Sequence, residues 1–380
     1  DSPARARVDV GRKNADRLVY EFDRARDFDF YLFAERDPKA LLASWTSLSG
    51  RMPLPPRWAL GYHQSRYGYK TEEEIRGVEK RLRDDRIPLD VIWLDIDFQQ
   101  GNAPFTVNEA TFPHFTRMVA DLRARGTKTV VITDPHIQYR ETTTSGYAPF
   151  DSGIAGDHFV HSPRGPGPFI GQVWPGLSVF PEFTLERTRS WWGSLYTSFV
   201  ERGVAGFWND MNEPATFNES KTFALDVEHR LEDGSRVIHS AVHNAYGTLN
   251  VRATHEGLQR LQPEKRPFVL TRAASPGAQR WSASWTGDNR ATREHLAQTV
   301  PQLAQLGVSG YPFVGADVGG FVGCPDPELF AEWMELGAYQ PFFRNHAAHD
   351  ACAREPWVFG AAIEERARAA VERRYQLVPY

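Results

Sequence analysis

Thr71 to Asp97 read TEEEIRGVEKRLRDDRIPLDVIWLDID, and the fold turns on how that stretch divides. The first part has helical rhythm, with Ile75, Val78 and Leu82 on one face. Thr71 and Glu74 form a capping box, in which each side chain satisfies a backbone donor of the first turn. Then the period is lost, and a continuous apolar run stops abruptly at Asp95 and Asp97. A run without polar alternation is a strand covered on both faces. Such strands belong to parallel sheets with helices over them.

The same unit recurs in both directions along the chain. RWALGYHQS precedes it, and TKTVVITDP follows a helix in which Phe115, Met118, Val119 and Leu122 share a face and Gly126 closes the end. VAGFWND, RPFVLTR, WSASWTGD, VSGYPFVGAD and YQPFFRNH complete eight apolar runs, with helical segments in most of the gaps. Asp326 and Pro327 suit the N-cap and first position of one of those helices. Eight alternating β and α units predict an α/β fold, a (β/α)8 TIM barrel. Two long connections, about 135–183 and 215–236, are expected as insertions after strands 3 and 4. Before the Pro-rich boundary Ser49–Trp58, the segments VDVG, RLVYEF and FDFYLF read as short strands. The expected division is therefore 1–50 as a small β-rich N-terminal part with linker, and 51–380 as the barrel, finishing in its last helix.

Each apolar run ends in a chemically active side chain: His63 and Arg66, Asp95 and Asp97, Asp134, Asp210, Arg272, Asp288, Asp317 and His346. One such residue is more often a cap or a loop ion pair. Eight in register are expected to converge on one mouth, the face where barrel active sites are built.

Composition narrows the chemistry. The net charge of −4 in 380 residues argues against a nucleic-acid surface. No apolar run reaches membrane-span length. The first residues have no signal-peptide core, which says little because the natural start is expected to be missing; a cytoplasmic setting is expected. Cys324 and Cys352 define neither a disulfide framework nor a zinc spacing, so two free thiols are expected. Histidines are scattered, so no metal site or other cofactor is expected. GADVGGF is Gly-rich but fits no phosphate motif, and no G-x-S-x-G elbow is present. Eleven Trp suit core packing and the apolar faces of sugar rings. Cleaving a glycosidic bond takes two carboxyl groups, one at the anomeric carbon and one at the leaving oxygen. Asp95, Asp97, Asp134, Asp210, Glu213, Asp288 and Asp317 are all candidates, and spacing alone does not choose among them.

The motifs do. GFWNDMNEP, RWSASWTGDN, LGYHQSRYGY, DVIWLDID, VWPG, GADVGGF and FFRNH, spread over roughly Pro53 to Tyr380, make the chain resemble glycoside hydrolase family 31, with closest likeness to glucosidase II-like and bacterial α-glucosidases. The resemblance implies a retaining, exo-acting α-glucosidase. Asp210 is then the nucleophile and Asp288 the general acid and base. Asp95, Arg272 and His346 bind sugar hydroxyls. Ile96, Ile132, Trp174, Trp208, Trp285 and Phe321 form apolar walls, and Met211 lies beside the nucleophile. Asp134 and Asp317 are supporting acids, with Asp317 expected to orient Arg272 and Glu213 expected to be structural. The family also holds α-xylosidases, sulfoquinovosidases and transglucosidases, and a barrel that binds sugar without turnover is the reading from another class. The implied partner is an oligosaccharide or α-glucoside. Members carry a β-sandwich before the barrel and β domains after it, so 1–50 would be a remnant of the former, and a trimmed chain is expected.

Overall fold

A computed structural model describes residues 6–22 and 29–380. Eight strand segments run parallel around a barrel: β1 Tyr62–Gln64, β2 Val91–Leu94, β3 Lys128–Ile132, β4 Gly206–Asn209, β5 Val269–Thr271, β6 Ala283–Trp285, β7 and β8 Phe343–Asn345. Strand β7 is broken into Val314–Gly315 and Asp317–Val318 around Ala316. Its first half pairs with β6 and its second with β8, so the broken strand closes the ring. Gly315 is required at the break. A Cβ there would lie 2.1 Å from the Phe342 carbonyl oxygen, closer than any side chain allows.

The helices form where the sequence places them. Glu72–Asp84 carries the predicted box, with the Glu74 N–H donating to Thr71 Oγ1 at 3.1 Å and the Thr71 N–H to Glu74 Oε2 at 3.2 Å. Phe115–Ala124 buries the four predicted apolar side chains. Pro327–Gly337 starts on the Asp326 carboxylate, which accepts from the Leu329 N–H. Between β5 and β6 only the short 3-10 turn Ala278–Arg280 stands in a helix's place. A hydrophobic core led by the fully buried Trp93, Phe98, Phe112 and Phe180 ties strands to helices.

The connection after β3 builds a three-stranded antiparallel sheet and the helix Ala148–Ala155. The one after β4 builds a hairpin, Glu228–Arg230 with Arg236–Ile238. At the N-terminus, Ala6–Val10 and Leu18–Phe22 form a hairpin. The third predicted strand is absent from Asp29–Phe33, and its first residue, Phe28, lies outside the described residues. The helix Pro38–Ser49 follows, anchored by the Trp45 indole N–H on the Ser309 carbonyl at 2.7 Å. Among the described residues no helix is long and apolar enough to cross a membrane.

Candidate active site

The mouth follows one rule of position. Asp95 is the first residue after β2, Asp210 after β4, Arg272 after β5 and His346 after β8. Asp134 and Asp288 lie slightly further along, after β3 and β6. Each strand aims its following residue at the barrel's C-terminal opening.

The turn that carries Asp210 is locked on both sides. Asn209 Nδ2 lies 3.1 Å from the Thr133 carbonyl and 3.1 Å from Tyr196 Oη. Asn212 donates to Asn250 Oδ1 at 3.0 Å and accepts from the Ala273 N–H at 3.3 Å. Between them Met211 sits at φ 57°, a left-handed backbone that side chains rarely adopt. Local strain of this kind, roughly 1–2 kcal/mol, persists only where surrounding bonds enforce it.

One guanidinium organises the acids. Arg272 Nε lies 2.7 Å from Glu213 Oε1 and 3.4 Å from Asp210 Oδ1, and Nη1 lies 3.7 Å from Asp288 Oδ2. Arg272 Nη2 also donates to the Met211 sulfur at 3.3 Å. Burial works against the Arg272 charge, but Asp210, Glu213 and Asp288 together hold its pKa above the ordinary arginine range. The Asp210 carboxyl is raised by burial, with Arg272 pulling it back and the neighbouring carboxylates adding to the rise. Asp210 is largely covered, whereas the Asp288 side chain is half exposed. Of the two acids, Asp288 is therefore the more accessible to solvent.

Across the opening, Asp95 Oδ1 accepts from the Ile96 N–H at 2.7 Å, and Oδ2 lies 3.8 Å from His346 Nε2. Burial, then the charges of Asp210 and Asp97, pushes Asp95 up to about 8. His346 Nδ1 meets Ser65 Oγ at 2.7 Å, and burial followed by Arg344, Arg354 and Arg66 keeps this ring well below its usual pKa, hence neutral. Asp134 is buried and raised well above the ordinary range by burial and by Asp210 and Asp95. Its Oδ1 has no hydrogen-bond partner within the protein. Buried polar atoms without partners are rare, and in a concave site they are where a polar ligand is received. The indole nitrogens of Trp208 and Trp285 also lack a hydrogen-bond partner within the protein, and Asp210 Oδ1 has only its ion pair with Arg272.

The walls are apolar. Trp208 and Trp285 meet edge to face at 5.5 Å, Trp208 meets His346 at 5.2 Å, and Phe321 stacks on His346 at 5.1 Å. Ile96 and Ile132 are buried. Trp174 stands at the rim, partly exposed, between Tyr67 and Phe217.

Three expectations are corrected. Asp317 does not orient Arg272. It lies within β7, in register with Arg344 of β8, and its Oδ1 accepts from Arg344 Nη2 at 2.9 Å. His63 is not at the mouth either. It lies within β1, in register with the same Arg344, wholly buried, and accepts the Trp93 indole N–H at 3.2 Å. Burial first, then Arg344 and Arg374, lowers it to about 3. Cys324 and Cys352 are bonded to each other, tying the loop after β7 to the loop after β8. Neither their spacing nor their count signals the bond, because it is the parallel pairing of β7 with β8 that brings the two loops together. Arg66 donates into the second of those loops, to the Ala351 carbonyl at 2.7 Å.

Arg344 itself was not singled out in the sequence, although a lone charge inside the apolar run of FFRNH was the available signal. It is completely buried, its guanidinium carbon 4.5 Å from the Trp208 ring centre and 4.9 Å from that of Trp93. Among the described residues no group of three or more His, Cys, Asp or Glu is arranged to hold a metal ion.

A parallel barrel whose mouth gathers paired carboxylates on one arginine, between tryptophan walls, is the architecture of a barrel glycosidase. Residues 52–380 match the TIM-barrel domain of glycosyl hydrolases family 31, and the chain belongs to that family. It is 42% identical over 377 residues to "Alpha-glucosidase 2" of Bacillus thermoamyloliquefaciens, covering 97% of this chain and 47% of that protein. A family 31 alpha-glucosidase structure from Bacteroides thetaiotaomicron superposes with a TM-score of 0.84 at 39% identity, over 96% of this chain and 59% of that one. The DNJ-bound glucosidase II alpha subunit gives 0.86 at 36% identity, over 91% and 37%. The chain spans less than half the length of the curated relatives it matches.

Proposed function

We propose that the protein is a retaining, exo-acting α-glucosidase that releases glucose from the non-reducing ends of α-linked oligosaccharides. One observation carries this. Two carboxylates of unequal exposure, Asp210 and Asp288, lie against the single guanidinium of Arg272, with Asp95 and His346 opposite. Retaining glycosidases need such a division of labour between two acids.

In the first step the Asp210 carboxylate attacks the anomeric carbon. The bond to the leaving oxygen breaks, and Asp288 gives that oxygen its proton. A glycosyl ester on Asp210 results. In the second step Asp288, now a carboxylate, takes a proton from water as the water oxygen attacks the same carbon and Asp210 departs. Two inversions restore the starting configuration. Arg272 supports the ionised form of Asp210 that the first step needs and the released carboxylate that ends the second. Asp95 and neutral His346 offer hydrogen bonds to ring hydroxyls, and a sugar without those hydroxyls would leave buried groups unpaired.

The test is hydrolysis of p-nitrophenyl α-glucoside beside the α-xyloside and the β-glucoside. Turnover of the α-glucoside in preference to the others is expected. Preference for the α-xyloside would move the substrate while keeping the acid pair. Turnover of none by well-folded protein would overturn the proposal.

A further inference from the structure

An acid that hands a proton to a leaving oxygen has to be aimed at it, and the Asp288 side chain is weakly held. It is half exposed, and its approach to Arg272 Nη1, at 3.7 Å, is longer than a hydrogen bond. Its direction is set by the backbone instead. The Asn289 N–H donates to the Gly287 carbonyl at 2.9 Å, which places Asp288 at the centre of a three-residue turn.

The residue that closes this turn is buried and has every polar group engaged. Asn289 Oδ1 accepts from the Phe321 N–H at 2.8 Å, and Nδ2 donates to the Asp317 carbonyl at 3.0 Å. The Asn289 carbonyl accepts from the Val322 N–H at 2.9 Å. Two residues on, the Ala291 N–H donates to the Val322 carbonyl at 2.9 Å, and Arg290 pairs with Val322 as a parallel bridge. The segment after Asp288 is thereby laced to the end of β7 and the loop that follows it.

The seam is specific and tight. Phe321 offers a backbone donor and Asp317 a backbone acceptor, and neither can reverse its role. A side-chain amide satisfies both, whereas a carboxylate would set a second acceptor against the Asp317 carbonyl. Gly320 stands at φ 79°, and a Cβ there would lie 2.4 Å from the Ala291 nitrogen, so the two backbones meet where no side chain fits. The loop after β7 is itself anchored on its far side. The Ala348 N–H donates to the Phe321 carbonyl at 3.0 Å, Arg354 donates to the Gly323 carbonyl, and Cys324 is bonded to Cys352. Phe321 of the same loop stacks on His346, so Asn289 registers the acid against the wall of the sugar site.

We propose that Asn289 is the positioning residue of the general acid: by clasping β7 and its loop it keeps Asp288 aimed at the leaving oxygen. The proposal rests on the glycosidase reading above, in which Asp288 is the proton donor. A general acid works only within hydrogen-bond reach of the atom it protonates, and a misplacement of about 1 Å can cost about 10²-fold. How much that proton matters depends on the leaving group. Loosening Asn289 therefore penalises poor leaving groups and spares good ones.

The experiment compares kcat/KM for phenyl α-glucoside, whose leaving oxygen needs the proton, with kcat/KM for p-nitrophenyl α-glucoside, whose leaving oxygen needs it little. The wild type, Asn289→Ala, Asn289→Ser, Asp288→Ala and the double variant Asp288→Ala/Asn289→Ala are measured, with circular dichroism as the check on folding. Asn289→Ala is expected to lower the phenyl-to-nitrophenyl ratio about tenfold. A role confined to stability would lower both values together and leave the ratio alone. In the Asp288→Ala background the same substitution is expected to leave the ratio unchanged, because no acid remains to be aimed. An unchanged ratio in folded Asn289→Ala, or a ratio that falls again in the double variant, would overturn the proposal. If Asn289→Ala does not fold, Asn289→Ser, which keeps a polar group, decides by the same ratio. If the wild type cleaves neither substrate, the glycosidase reading fails by itself. Crystal structures of the wild type and Asn289→Ala then judge the positioning: an Asp288 carboxyl displaced by about 1 Å or more supports it, and one left in place refutes it.

Discussion

Two arginine–aspartate pairs lie in the same barrel and do opposite things. Arg344 and Asp317 are sealed, with side-chain exposures of 0% and 1%, and the arginine is enclosed by Trp93, Trp208 and Trp285. Arg272 and Asp210 are partly exposed, at 22% and 14%, and they share their charge with Glu213 and with the half-exposed Asp288. The residue types are the same, so type alone does not make a reactive acid. Position relative to the strand does. Asp317 and Arg344 sit inside β7 and β8, level with His63 of β1, and fill one layer of the bore. Asp210 and Arg272 are each one residue past their strands and stand above that layer. A buried pair organises the barrel wall, whereas a pair at the rim has room for a substrate between its members and the opposing groups.

The comparison can be broken most decisively at the open pair. Asp210→Ala is expected to lower kcat on an aryl α-glucoside by about 10⁴-fold or more, as loss of a covalent nucleophile does. Asp288→Ala should cost about 10²–10⁴-fold on sugars with poor leaving groups, and less on the aryl glucoside, whose oxygen needs little protonation. Both variants should fold normally, which circular dichroism will check. Comparable activity in Asp210→Ala would erase the distinction between the pairs.

The sealed pair is tested through stability. Arg344→Met leaves Asp317 as an unpaired acid among aromatic rings and should cost about 3–5 kcal/mol in denaturant unfolding. Arg272→Met should cost clearly less while reducing turnover by about 10²-fold or more, because water reaches the carboxylates it leaves behind. If the two substitutions destabilise equally, the assignment of one pair to the wall and the other to the chemistry fails.

The last test concerns Asp95. Burial raises its carboxyl to about 8 in the folded protein, against 3.8 for an ordinary aspartate. Between those values the folded state holds a proton that the unfolded state has released. Asp95 therefore favours folding at low pH, and its contribution is lost as pH rises toward 8. Asp95→Asn, which cannot ionise, should gain Tm relative to wild type as pH increases from about 4 to about 8. A difference in Tm that does not change with pH would contradict the raised pKa.

Much of this organisation could be read before any coordinates. Helix Glu72–Asp84 forms with its capping box because Thr71 and Glu74 act locally. The strands are legible because both their faces are covered, leaving unbroken apolar runs. Asp95, Asp210, Arg272 and His346 come together because each closes such a run. Register was the missing quantity. A shift of one residue carries a side chain from the mouth to the bore, and nothing in GADVGGF tells that Asp317 faces Arg344 while Asp210 does not. The Cys324–Cys352 bond was invisible for the related reason that it joins loops brought together only by the pairing of β7 with β8. The hydrogen-bonded row from Glu182 through His229 and His239 to His243 was hidden as well, since Glu182 comes from the connection after β3, His229 and His239 from the one after β4, and His243 from the helix that follows.

The central claim is that Asp210, set above the sealed layer, forms a covalent bond to the sugar. The most direct measurement is intact and peptide mass spectrometry after incubation with 5-fluoro-α-glucosyl fluoride, which slows breakdown of the glycosyl-enzyme. The account predicts one added fluoroglucosyl mass, located on the peptide containing Asp210 and absent from Asp210→Ala. A turning-over enzyme that gains no adduct, or gains it on another acid, would contradict the account.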